Sequence, residues 1–100
     1  MTPPDSFAAF YPYYLSQHAD RWCRRLHFVG TGGVIVLALA AIVTLNAWLL
    51  LALPVVGYGC AWIGHFVFEK NRPAAFGHPL WSLRGDFVMF WQMLTGRIRF

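Results

Sequence analysis

The longest uninterrupted pattern in the chain is apolar: from Phe28 to Phe68 there is no Lys, Arg, Asp or Glu. One membrane-crossing helix needs roughly 20 such residues, so the run is long enough for two. A single helix over all of it would reach about 60 Å at ~1.5 Å per residue, twice the hydrocarbon core. Asn46 stands near the middle of the run. The pattern therefore predicts a helical hairpin, with a first span over 21–45, a tight turn at Asn46 and a second span over 47–69. A signal peptide is the competing explanation, but its apolar region is shorter and follows a basic start, whereas this chain opens with Pro3, Pro4 and Asp5.

The flanks carry weaker patterns. Residues 1–20 are rich in aromatics (Phe7, Phe10, Tyr11, Tyr13, Tyr14), and Asp5 or Ser6 is placed to cap a short helix that Pro12 should kink or restart. Asp20 is the expected N-cap of the first span. After the second span, Asn71-Arg72-Pro73 breaks the helix and Gly77-His78-Pro79 prolongs the loop. In the last stretch Leu80, Leu83, Phe87, Phe90, Trp91 and Leu94 form an apolar stripe at helical spacing, with Ser82, Arg84, Asp86 and Gln92 off it. Such a helix is expected on the membrane surface or over the cytoplasmic end of the hairpin. The fold class expected is an all-α membrane protein, one domain over 1–100: an interfacial segment, two transmembrane helices, and a loop with an amphipathic helix over 70–100.

Composition sharpens this. Hydrophobic residues make up 58% and charged residues 12% of the chain, the latter about half the ~25% usual in a soluble domain. So small a domain cannot bury that much apolar surface, which excludes an ordinary soluble enzyme. Arg21, Arg24 and Arg25 precede the first span, and Lys70, Arg72, Arg84, Arg97 and Arg99 follow the second. The positive-inside rule then puts both termini in the cytoplasm and Asn46 on the far side. The net charge of +4 faces anionic headgroups. No nucleic-acid motif accompanies it.

The chemistry lies in four histidines. His27 and His65 are equally far along the chain from Asn46, so in a hairpin they share one depth, about 28 Å from the turn at ~1.5 Å per residue. Gly57, Ala61 and His65 lie at four-residue steps bordered by Gly64, and Gly30 and Thr31 lie one turn beyond His27. Small residues on one stripe let spanning helices approach, so the two imidazoles are expected to face each other. The topology puts His18 and His78 on the same side. Several imidazoles suit iron, zinc or copper. Glu69, one turn after His65, would complete a 2-His-1-carboxylate set, or else pair with Arg72 or another arginine. Cys23, four residues before His27, is a soft-ligand candidate, although packing is its commoner role, as for Cys60. The two lie at different depths and are not expected to form a disulfide.

Two blocks of residues resemble a known family. The first is Tyr14-x-x-x-His18 followed by His27 and Gly30; the second is Gly64-His65-x-x-Phe68-Glu69-Lys70-x-Arg72-Pro73-Ala74. They are similar to the family of the 2-hydroxy fatty acid dioxygenase named for metabolism of phytosphingosine to odd-numbered fatty acids. The resemblance implies an iron(II)-dependent membrane oxygenase with His18, His27 and His65 as metal ligands, and His78 with them by a looser match after Ala74. It also implies O2 as co-substrate and a lipid-like substrate, a 2-hydroxy acid shortened by one carbon. Lys70 and Arg72 are placed to steer a carboxylate or to anchor the span, and Glu69 and Arg72 are the candidate catalytic residues. The chain is much shorter than the eukaryotic members, and a homo-oligomer is one way to complete its site. Two alternatives stay open: a small non-enzymatic membrane protein with structural histidines, and a bis-histidine haem protein.

Overall fold

The computed structural model describes residues 4–100, and every regular element in it is helical. Helix α1 covers Phe7–Ser16, α2 Arg21–Thr44, α3 Ala52–Ile63 and α4 Pro79–Leu94. Two short 3₁₀ turns, Ala47–Leu51 and Ala74–Phe76, precede α3 and α4, and a π-helical turn over Gly64–Glu69 ends α3. The segments Arg21–Thr44 and Ala47–Glu69 are each long and apolar enough to cross a membrane. The molecule measures 47 × 26 × 26 Å, its long axis close to the ~40–45 Å of a bilayer with headgroups.

Local chemistry sets the boundaries. Ser6 caps α1, its Oγ accepting from the Ala9 N–H at 3.1 Å. The helix continues through Pro12 to Ser16, with no second start there. The carbonyl that Pro12 leaves unpaired is that of Ala8, an exposed residue, so the loss is not a buried one. Asp20 caps α2 as expected, accepting from the N–H groups of Trp22 at 2.9 Å and Cys23 at 3.1 Å. At the far end Leu45 takes the left-handed conformation, and Asn46 starts the next turn by accepting from Trp48 N–H at 3.1 Å.

Helices α2 and α3 meet through small residues, as the stripe predicts. A Cβ on Gly30 would lie 2.9 Å from Cys60 Cβ. One on Gly64 would lie 3.1 Å from Cys23 Cα and 3.2 Å from its Sγ. The rest of both helices presents large apolar side chains outward, among them Val36, Leu39, Ile42, Val43, Val55 and Trp62. Cys23 and Cys60 are both free thiols.

The apolar stripe of α4 is placed otherwise than amphipathicity in water would have it. Leu80, Leu83, Phe87, Trp91 and Leu94 point outward, and the inward face carries Ser82, Gly85, Met89 and Met93. Gly85 makes the contact: an added Cβ would meet the ring of Tyr14 at 3.1 Å. Tyr14, Phe10, Met89, Met93 and Ala74 form the buried core between α1 and α4, and Phe28 of α2 stacks on Phe90 of α4 at 4.7 Å.

Because Gly64 faces backbone atoms of Cys23, a methyl group there cannot be accommodated by side-chain rotation. We expect Gly64→Ala to cost about 1–3 kcal/mol. Gly59→Ala, inside α3 with open space around it, should stabilise by about 0.5–1 kcal/mol. Thermal unfolding of the two variants in detergent checks the difference, and equal stability would refute the close approach.

Candidate metal centre

Three histidines from three different elements converge at one end of the α2–α3 pair. His18 follows α1, His27 lies one turn and a half into α2, and His65 sits in the π-helical turn. All three are buried, at 1%, 5% and 2% exposure, which isolated imidazoles tolerate only with polar partners. His18 Nε2 lies 3.1 Å from His27 Nε2 and 3.0 Å from His65 Nε2. The ring planes stand nearly perpendicular in pairs, at 89°, 77° and 86°.

The opposite edge of each ring fixes its tautomer. His18 Nδ1–H donates to the Tyr14 carbonyl at 2.6 Å, and His27 Nδ1–H to the Cys23 carbonyl at 2.9 Å. His65 Nδ1–H donates to Asn71 Oδ1 at 2.7 Å. That amide is itself oriented, because its Nδ2 donates to the Gln17 carbonyl at 3.1 Å and to Gln17 Oε1 at 3.2 Å. A carbonyl oxygen only accepts, so each Nδ1 carries a proton and each neutral ring turns an Nε2 lone pair toward the other two. Burial, reinforced by the neighbouring His27, pushes the His18 pKa well below its ordinary value and holds that ring neutral. Three lone pairs facing one another have no mutual hydrogen bond. A proton relieves one pair; a metal ion satisfies all three.

The loop carrying His18 is clamped from the second sequence block. Glu69 accepts from Ala19 N–H at 2.9 Å and Asp20 N–H at 2.7 Å, and Arg24 Nη1 donates to the Ala19 carbonyl at 2.9 Å. The π-helical turn ends at Lys70 in the left-handed conformation, with Asn71 N–H donating to the His65 carbonyl at 3.0 Å. Thus Glu69 and Asn71 tie the ends of three elements together around the histidines.

The other candidates are placed differently. The carboxylate of Glu69 is engaged by the two backbone N–H groups, not aimed at the imidazoles and not paired with Arg72. Arg72 holds its guanidinium over Phe76, 5.5 Å from the ring centre. His78 is not brought to the cluster: its ring stacks on Trp81 at 5.6 Å and packs against Phe10 at 5.1 Å, where it precedes α4. Cys23 belongs to the same buried group. Its Sγ lies 3.8 Å from His27 Nδ1, the ring edge already committed to the Cys23 carbonyl, and it packs on Gly64. Sequence spacing does not single out Asn71 or Asp86, and it gives Tyr14 only as the first residue of Tyr14-x-x-x-His18. The only available signal for Asn71 is its position just after the break that ends the second span.

Tyr14 and Asp86 complete the wall. Tyr14 stacks on His18 at 4.0 Å and its hydroxyl donates to Asp86. Burial pushes the Asp86 carboxyl up to about 6 and the Tyr14 hydroxyl up as well, the latter also raised by the carboxylate beside it.

A family profile described as 2-hydroxy-palmitic acid dioxygenase Mpo1-like matches residues 4–98. The chain belongs to the Mpo1-like family. No curated protein and no solved structure matches it. For an Mpo1-like chain, the family description fits a buried set of donors able to hold a metal ion.

Two outcomes follow from this geometry. Asn71→Ala should weaken metal binding by about 10–100-fold, as loss of an orienting partner does elsewhere, whereas His78→Ala should leave it unchanged. Titration against a chromogenic chelator reads both, and a large loss in His78→Ala would contradict the three-histidine set. The second concerns Asp86, whose folded pKa lies above its ordinary value. Its contribution to stability is fully present below the usual carboxylate range, near pH 4, and is lost as pH rises through about 6. Asp86→Asn should therefore flatten the fall in unfolding temperature between pH 4 and 6.5; an unchanged slope would overturn the assignment.

Proposed function

We propose that this Mpo1-like protein is an iron(II)-dependent dioxygenase of 2-hydroxy fatty acids, built on a two-span membrane hairpin with its metal centre at the cytoplasmic boundary. The observation that carries the reading is the convergence of three Nε2 lone pairs whose Nδ1 edges are all committed. Two nitrogens bound to one ion at ~2.1 Å are about 3.0 Å apart at a right angle and about 3.4 Å apart at a tetrahedral angle. The separations of 3.0 and 3.1 Å suit imidazoles that share one ion, here the iron(II) of the proposal. The same spacing argues against a haem, whose two axial nitrogens stand about 4 Å apart at ~2.0 Å from the iron. Structural histidines are disfavoured too, since one metal ion satisfies all three Nε2 lone pairs at once, whereas one proton or one water does not.

Iron(II) held there by His18, His27 and His65 would supply redox chemistry with O2 and room for the carboxylate and hydroxyl of a 2-hydroxy acid. The overall reaction balances as R–CH(OH)–COOH + O2 → R–COOH + CO2 + H2O. The C1–C2 bond breaks, and O2 takes up the four electrons released. The protein's own part is to keep three imidazoles neutral and fixed, through Tyr14, Cys23 and Asn71, and to keep water away. Glu69 acts as a positioning residue for the His18 loop. Lys70 and Arg72 lie on the basic side, where they favour an anionic headgroup at the membrane surface.

The test is turnover by the iron-loaded chain in lipid nanodiscs. 2-Hydroxypalmitate and O2 should be consumed one to one, with a fatty acid one carbon shorter and CO2 formed in equal amounts. His65→Ala should lower the rate by more than about 100-fold, beyond what loss of an orienting partner does. No turnover by an iron-replete native chain would overturn the proposal.

A further inference from the structure

Two cavities meet at His27 and Asp86. The smaller, about 20 Å³, touches His18, His27 and His65 and is closed on one side by Ser82. Ser82 is 3% exposed and its Oγ has no hydrogen-bond partner, an orphan that buried hydroxyls rarely are. The larger, about 250 Å³, starts at His27 and Asp86 and is walled by Thr31, Val34, Leu53, Pro54 and Gly57. His27, Tyr58, Ala61 and Asp86 line both. From His27 to Val34 the groove follows α2 for about 10 Å at ~1.5 Å per residue, roughly two thirds of the ~15 Å depth of one leaflet.

We infer that the two cavities are one substrate site, in which Ser82 and Asp86 hold the head of a single-chain 2-hydroxy acid and the groove beside Val34, Leu53 and Pro54 takes the first part of its tail. The inference rests on the dioxygenase reading and adds the residues that select the substrate. Ser82 and Asp86 stand one turn apart on α4 and so share a face. The unpartnered Ser82 hydroxyl can donate to the substrate carboxylate. Asp86 already accepts from Tyr14, and its remaining lone pairs can accept from the substrate's 2-hydroxyl. An acid without that hydroxyl leaves those remaining lone pairs without a donor, so Asp86 distinguishes 2-hydroxy acids from plain ones. The groove is shorter than a long acyl tail, whose end therefore continues into lipid.

The test uses photo-crosslinking by 2-hydroxypalmitate with a diazirine a few carbons from its head. The full chain is held anaerobically in nanodiscs, and the labelled residues are read by mass spectrometry. Label on Val34, Leu53, Pro54 or Tyr58 is expected; label confined to the outward residues Val36, Leu39, Ile42 and Val55 would overturn the inference. Leu53→Trp, far from the histidines along α3, should cut labelling by the longer probes and shift it toward shorter ones while iron content stays the same. A probe without the 2-hydroxyl should label the native groove about tenfold less, and the gap should close in Asp86→Ala; an unchanged gap would remove Asp86 from the head site. Iron content and turnover on the same samples separate the two claims. Groove labelling without turnover refutes the dioxygenase and keeps the groove. Turnover with labelling elsewhere does the reverse.

Discussion

Three neutral imidazoles, pressed together with their lone pairs facing inward, impose the constraint from which the arrangement of this protein follows. Left alone, His18, His27 and His65 would repel or fill the space between them with water. Instead each is pinned by its outer edge to a carbonyl oxygen, and the elements bearing them are tied by Glu69, Asn71 and Arg24. The glycine at position 64 and the π-helical turn that it opens are what let α2 and the end of α3 approach closely enough for this. Such turns commonly mark functional sites, because the wider winding re-aims a side chain.

The candidate site draws on nearly every element of the described chain. The segment after α1 brings His18, α2 brings His27, the π-helical turn brings His65, and α4 closes the open side with Ser82 and Asp86. The core between α1 and α4 serves mainly to press Tyr14 onto His18 and Asp86. In the proposed membrane setting, the exposed apolar faces of α2 and α3 meet lipid and the substrate arrives from the same phase, so the groove between those helices needs no path through water.

Much of this was legible in the residues themselves. The charge-free run, Asn46 at its middle and the Asp20 cap define α2 and its successor, and equal spacing from Asn46 places His27 and His65 at one level. What was not legible has physical reasons. Glu69 is within one helical turn of His65 in sequence, but the π-helical winding and the backbone N–H groups of Ala19 and Asp20 claim its carboxylate. His78 is on the right side of the molecule yet packs into an aromatic stack with Phe10 and Trp81. The stripe of α4 left two placements open, on the membrane surface or over the hairpin, and periodicity alone does not show that its apolar side turns outward. A helix lying against lipid, as proposed here, turns its small and polar residues inward. Asn71 is invisible to spacing arguments, since its partner is a ring edge that only the folded turn presents.

The central claim is that three imidazole Nε2 atoms, and no sulfur, hold one iron ion. X-ray absorption at the iron edge of the anaerobically loaded protein tests it most directly. The account predicts near-stoichiometric iron in a six-coordinate nitrogen and oxygen environment with the scattering signature of three imidazoles, unchanged in Cys23→Ser. A sulfur contribution that disappears in Cys23→Ser, a tetrahedral site, or an iron-supplied protein that holds no iron would contradict it.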